Sequence, residues 1–115
     1  MLPQAYRLPL KTELSHLKKD GQIFQGKFFG LLLDPKQNQK NSSRFGMIVS
    51  NKIAKKAVVR NKIRRLLSES LMFFLPQIKK NQDGVFLAKK TVIEADSTQI
   101  KKDAESLLQK AKLFS

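Results

Sequence analysis

The 115-residue chain carries 23 Lys and Arg against 9 Asp and Glu, a net charge of +14, with 41% hydrophobic residues and no cysteine. The missing cysteine excludes disulfides, thiolate metal ligands and cysteine nucleophiles, and no run nears the ~18 apolar residues of a membrane span. Charge this far beyond the ~2–8 that solubility asks of a small domain selects polyanions as partners. Nucleic acid comes first, an anionic membrane second and an acidic protein third.

The length fits one domain over 1–115 that buries roughly 65% of its unfolded surface. In MLPQAYRLPLK, Pro3, Pro9 and the early charges oppose both helix and a secretory h-region. Residues 1–10 are therefore expected as an extended arm, and the cytoplasm as the compartment. Thr12 is the predicted N-cap of a short first helix that turns Leu14 and Leu17 inward and ends near Gly21. The Phe-rich run IFQGKFFGLLL predicts a short strand and then a longer one over Lys27–Leu33. A polar loop follows over Asp34–Ser43. RFGMIVSN then alternates, with Phe45, Met47 and Val49 on one side, as a strand does.

The central helix is expected over Ala57–Leu75, because Val59, Ile63, Leu66, Leu67, Leu71 and Phe74 recur at steps of three and four. Pro76 marks its end. VFLAKK, Val85–Lys90, is the predicted last strand. A final helix starts at Ser97 or Thr98, with Ile100, Ala104, Leu107, Leu108 and Ala111 along one face. The order is αβββαβα and the class α+β.

Between Pro35 and Ser68 lie ten cations and no carboxylate: Lys36, Lys40, Arg44, Lys52, Lys55, Lys56, Arg60, Lys62, Arg64 and Arg65. At ~100° per residue, Arg60, Asn61, Arg64, Arg65 and Ser68 share one arc, roughly opposite the apolar stripe. Packing the stripe pushes the cations outward as a set. Arg60 and Arg64 repel at i,i+4 by ~0.2–0.5 kcal/mol and also oppose the helix dipole. A placement that costs stability points to a use, and phosphate is the natural counter-charge.

The stretch KKAVVRNKIRRLLSE resembles the Arg-Asn signature of the protein subunit of bacterial ribonuclease P, through Lys56, Ala57, Val58, Arg60, Asn61, Lys62, Arg64, Arg65 and Glu69. RFGMIVSNK is similar to that family's strand end, through Arg44, Gly46, Val49, Ser50 and Lys52. VFLAKK and LPQAYRL resemble its last strand and its arm. Ser68 departs from the pattern, where the family often has arginine, and so do Leu14 and Lys18, where it often has aromatic residues.

The resemblance implies a ribosomal-protein-like α+β fold: a mostly antiparallel sheet packed with helices and a left-handed βαβ crossover, against the usual hand. It implies a 1:1 partnership with one catalytic RNA, the pair cutting the 5′ leader from precursor tRNA. Mg²⁺ held by the RNA activates water, the protein alone binds no cofactor, and the leader lies in a groove between the sheet and the central helix. The RNA contacts expected are Arg60, Asn61, Arg64 and Arg65, with Lys52, Lys55, Lys56 and Lys62 adding charge. For Asn61 a local cap is the alternative. Of Phe28 and Phe29, one belongs to the core and the other is a candidate to stack on a leader base. Lys90 is a candidate leader contact.

The residues themselves provide no self-contained nuclease. His16 is the single histidine, and Asp34, Glu69, Asp83 and Asp103 are scattered. A general RNA-binding or ribosomal-type protein without a nuclease role explains the charge but not the spacing around Arg60-Asn61.

Overall fold

The computed structural model describes residues 2–40 and 42–114. Its elements run α1 (Leu10–Asp20), β1 (Gln22–Gln25), β2 (Phe29–Leu33), β3 (Arg44–Ile48), α2 (Ala57–Phe74), β4 (Asp83–Ala88) and α3 (Ser97–Lys110). The αβββαβα order is the one expected. Short 3₁₀ turns occupy Gln4–Tyr6, Leu75–Gln77 and Lys90–Glu94.

The four strands form one sheet in the order β1-β2-β4-β3. β1 with β2 and β2 with β4 are antiparallel, while β3 and β4 are parallel and joined through α2. The sheet is thus mixed, with antiparallel pairing in the majority.

Alternation divides the strands between two cores. One face carries Phe29, Leu31, Phe45 and Phe86 against Ile63, Leu67, Leu71 and Phe74 of α2 and Ile100, Ala104, Leu107 and Leu108 of α3. The Phe86 ring meets Phe29 edge-on at 6.3 Å and Phe45 at 5.9 Å. Each such side chain, fully buried, contributes ~1.5–3 kcal/mol. The other face carries Leu32 and Val85 against Leu17 of α1 and Leu8 of the arm. The arm also lies along β3, with the Leu8 amide donating to the Phe45 carbonyl at 3.1 Å and Arg7 bridged to Phe45.

Several boundaries differ from expectation, each for a local reason. α1 begins at Leu10, because the Pro9 carbonyl accepts from the amides of Thr12 and Glu13. Thr12 therefore sits in the first turn, its hydroxyl donating to Pro9. β2 begins at Phe29 rather than Lys27, because Asp103 of α3 takes the amides of Lys27, Phe28 and Phe29 at 2.8, 3.0 and 3.0 Å. A Cβ on Gly26 would stand 2.7 Å from that carboxylate, so the close approach requires glycine there. β4 runs two residues early, and Lys90 opens a 3₁₀ turn instead of ending the strand. α3, by contrast, starts at Ser97 as expected, with Asp96 before it forming a reciprocal capping box with Gln99.

Candidate nucleic-acid interface

α2 starts without an acidic residue in its first turn and without a side-chain cap on Lys56. Arg60 supplies part of the missing order. Its Nη1 donates to the Ala54 carbonyl at 2.9 Å and the Lys55 carbonyl at 2.7 Å. Upstream, the Ser50 carbonyl accepts from the amides of Ile53 and Ala54. The segment bearing Lys52, Lys55 and Lys56 is therefore folded back and fastened to the helix, with all three lysines exposed.

Along the helix, Asn61, Lys62 and Arg65 are exposed, while Arg60 and Arg64 are half-buried. Arg64 Nη1 donates to Asn61 Oδ1 at 2.9 Å, so Asn61 orients an arginine one turn on and is not the helix cap. Arg65 lies 4.0 Å from Glu69 with both side chains more than half exposed, a pair that water and salt screen heavily. The exposed Val58 lies among these cations, in a shallow depression shared with Asn61, Lys62 and Arg64.

Ser68 departs from the expected arc. It is fully buried, its hydroxyl 3.4 Å from Met47 Sδ of β3. The basic face thus ends at Arg65, where the helix dips onto the sheet. A groove of about 170 Å³ opens there between the arm, β3 and α2. Leu10, Phe45 and Met47 give it apolar walls, and Arg7 and Arg64 supply charge.

Phe28 and Phe29 are both buried, at 7% and 1% exposure. Neither offers an open ring for stacking. The amide bonds to Asp103 turn this segment inward, so strand alternation does not separate the two rings. Lys90 is exposed, beside Lys89, whose Nζ donates to the Gly26 carbonyl at 2.6 Å. Because β3 and β4 are parallel, Lys90 and the Lys52–Lys56 segment lie at the same end of the sheet.

Among the described residues, Arg44 is the one cation of the acid-free stretch drawn into a tight ion pair. Its Nε and Nη2 grip Asp83 at 3.0 and 2.8 Å. The hydrogen bonds to Asp83, then the charges of Asp83 and Glu13, raise its pKa against the opposing effect of burial. His16 lies between Asp34 at 3.0 Å and Asp20 at 3.3 Å. No group of three or more His, Asp or Glu side chains able to hold a metal occurs among the described residues. No helix there is long and apolar enough to cross a membrane.

The family model described as Ribonuclease P matches residues 2–112. The chain is 30% identical to the ribonuclease P protein component of Microcystis aeruginosa over 115 residues, 98% of this chain and 96% of that one. It is 33% identical to that of Caldanaerobacter subterraneus subsp. tengcongensis over 108 residues, 94% and 90% of the two chains. Among solved structures, the Staphylococcus aureus RNase P protein superposes with a TM-score of 0.85 at 26% identity, covering 97% of this chain and all (100%) of that one. The Thermotoga maritima protein gives 0.81 at 27% identity, over 90% and 96%.

Proposed function

The chain belongs to the ribonuclease P protein family, the protein component of a tRNA-processing endoribonuclease, and we propose that it docks its catalytic RNA, one to one, on the outward face of α2. The observation that carries this reading is the fate of the acid-free stretch. Lys52, Lys55, Lys56, Asn61, Lys62 and Arg65 are all exposed, and among the described residues the carboxylate paired with them is Glu69, itself exposed. Arg64 connects that surface to the groove, and Arg60 holds its leading segment. Guanidinium forks and ammonium heads there meet phosphate oxygens, while Asn61 offers a directional bond to phosphate or 2′-OH.

The precursor's 5′ leader enters the groove between the arm, β3 and α2. Its apolar walls favour bases, and Arg7 and Arg64 favour the backbone. Lys90 adds exposed charge at the far end of the sheet. The buried Phe28 and Phe29 have no part in this reading. Mg²⁺ held by the RNA supplies the activated water for hydrolysis of the phosphodiester. The protein's own residues bind and position. Its single histidine is held between Asp20 and Asp34, away from the face of α2. A cytoplasmic location belongs to the same reading.

The test is the variant Lys62→Glu/Arg65→Glu, at two exposed side chains whose one ion pair among the described residues is the solvent-screened contact of Arg65 with Glu69. It should lose binding to a ribonuclease P RNA and fail to rescue precursor cleavage at low Mg²⁺, with an unchanged circular dichroism spectrum. Normal assembly in moderate salt would show that the docking face is elsewhere.

A further inference from the structure

The end of the sheet away from the α2 N-terminus carries a second basic surface. It is built by the arm, by the loop between β2 and β3, and by the turn before β4. Residues 2–9, 35–43 and 75–82 contain five cations and no carboxylate. The nearby acids are used internally. Asp83 is held by Arg44 and by Asn38 Nδ2 at 2.7 Å, and Asp34 accepts from the Lys36 amide at 3.0 Å and faces His16. Glu13, 4.0 Å from Arg44, is the partly exposed acid facing this side.

This surface is organised before anything binds. The Asn38 amide donates to the Asn81 carbonyl at 2.8 Å, the Gln82 amide to Ser43 Oγ at 3.1 Å, and Ser42 Oγ to the Ala5 carbonyl at 2.8 Å. Ser43 Oγ also donates to the Lys79 carbonyl. Loop, turn and arm are thereby tied into one unit.

Two clefts cross it. One, of about 750 Å³, is lined by Arg7, Lys40 and Arg44; the other, of about 270 Å³, lies between the half-buried Tyr6 and Lys79 and Lys80. The first shares Arg7 and Leu8 with the leader groove, and the second shares Ser42 with the first. The three depressions form one path around the arm. A path of spaced cations with an aromatic ring at its end suits a single strand of RNA, with phosphates on the lysines and a base on the ring.

We propose that this path carries the distal part of the 5′ leader, with Arg7 and Lys40 contacting its phosphates and Tyr6, Lys79 and Lys80 holding its far end. The inference rests on the reading that the leader enters the groove. Its prediction is a dependence on leader length that belongs to this end of the molecule alone.

The experiment compares wild-type holoenzyme with one carrying Lys40→Ala/Lys79→Ala/Lys80→Ala, on precursors with leaders of about 4 and about 16 nucleotides. The variant should bind the long-leader precursor about tenfold more weakly, with a log–log salt slope shallower by ~2. It should bind the short-leader precursor and the ribonuclease P RNA as wild type does. Equal loss on both leaders, or weakened assembly with the RNA, would assign the surface to the tRNA body or the RNA subunit and overturn the proposal. Unchanged affinity for the long leader would overturn it as well. If Lys62→Glu/Arg65→Glu assembled normally, the docking face would fail, yet the leader-length contrast would still read this path.

Discussion

Arg60 donates from Nη1 to the Lys55 carbonyl five residues earlier, at 2.7 Å, so a residue of the basic signature braces its own chain. The bond turns the entry to α2 back on itself and sets the spacing of Lys52, Lys55 and Lys56 from the helix.

Replacing Arg60 with lysine keeps the charge and loses the fork. Amide hydrogen exchange over 53–56 should quicken, and RNA affinity should fall about tenfold, one lost charge-assisted hydrogen bond being worth ~1.5–3 kcal/mol. A salt slope close to wild type would mark this as lost order rather than lost charge. Wild-type exchange rates in the variant would contradict the bracing role.

Asp103 stabilises the joint between α3 and the β1–β2 turn. Asp103→Ala leaves the amides of Lys27, Phe28 and Phe29 without their acceptor in a buried setting. Unfolding in urea should show a loss of about 3 kcal/mol. The exposed α2 face is untouched, so any loss of RNA binding should track the unfolded fraction.

Gly26→Ala should be destabilising by ~1–3 kcal/mol, because its Cβ would press on Asp103 and on the Phe29 carbonyl, at 2.7 and 2.9 Å. Combined with Asp103→Ala, the two losses should be less than additive, since both act on one contact. Additive losses in the double variant would show that the two sites are independent.

Arg44→Met breaks a buried pair and leaves Asp83 its bond from Asn38. The expected cost is about 3 kcal/mol by chemical denaturation. Although Arg44 belongs to the acid-free stretch, the loss should appear in stability and not in the salt slope of RNA binding.

The element order was legible because the periods are clean. Phe45, Met47 and Val49 alternate, Ile63, Leu67, Leu71 and Phe74 keep helical steps, and both patterns reach the core as expected. The outward direction of Lys62 and Arg65 was legible too, since it follows from that stripe. What local pattern could not supply was contact across distance. Phe28 and Phe29 follow each other in an apolar run, yet a carboxylate 74 residues from Phe29 turns the segment inward. One signal was available: Asp103 sits three residues after Ile100, on the buried face of α3, where a lone carboxylate needs donors. Ser68 shows the opposite limit. The helical wheel put it with the arginines, but the wheel does not say where β3 passes beneath the helix.

The pairing of the arm with Phe45 bears on handling the protein. Without Arg7 and Leu8 in place, β3 would become an open edge beside an apolar groove, a template for strands from other molecules. Shortened versions should therefore oligomerise even when α2 and its basic face are intact, and Leu2, 2% exposed, leaves little room for a rigid fusion partner beside it.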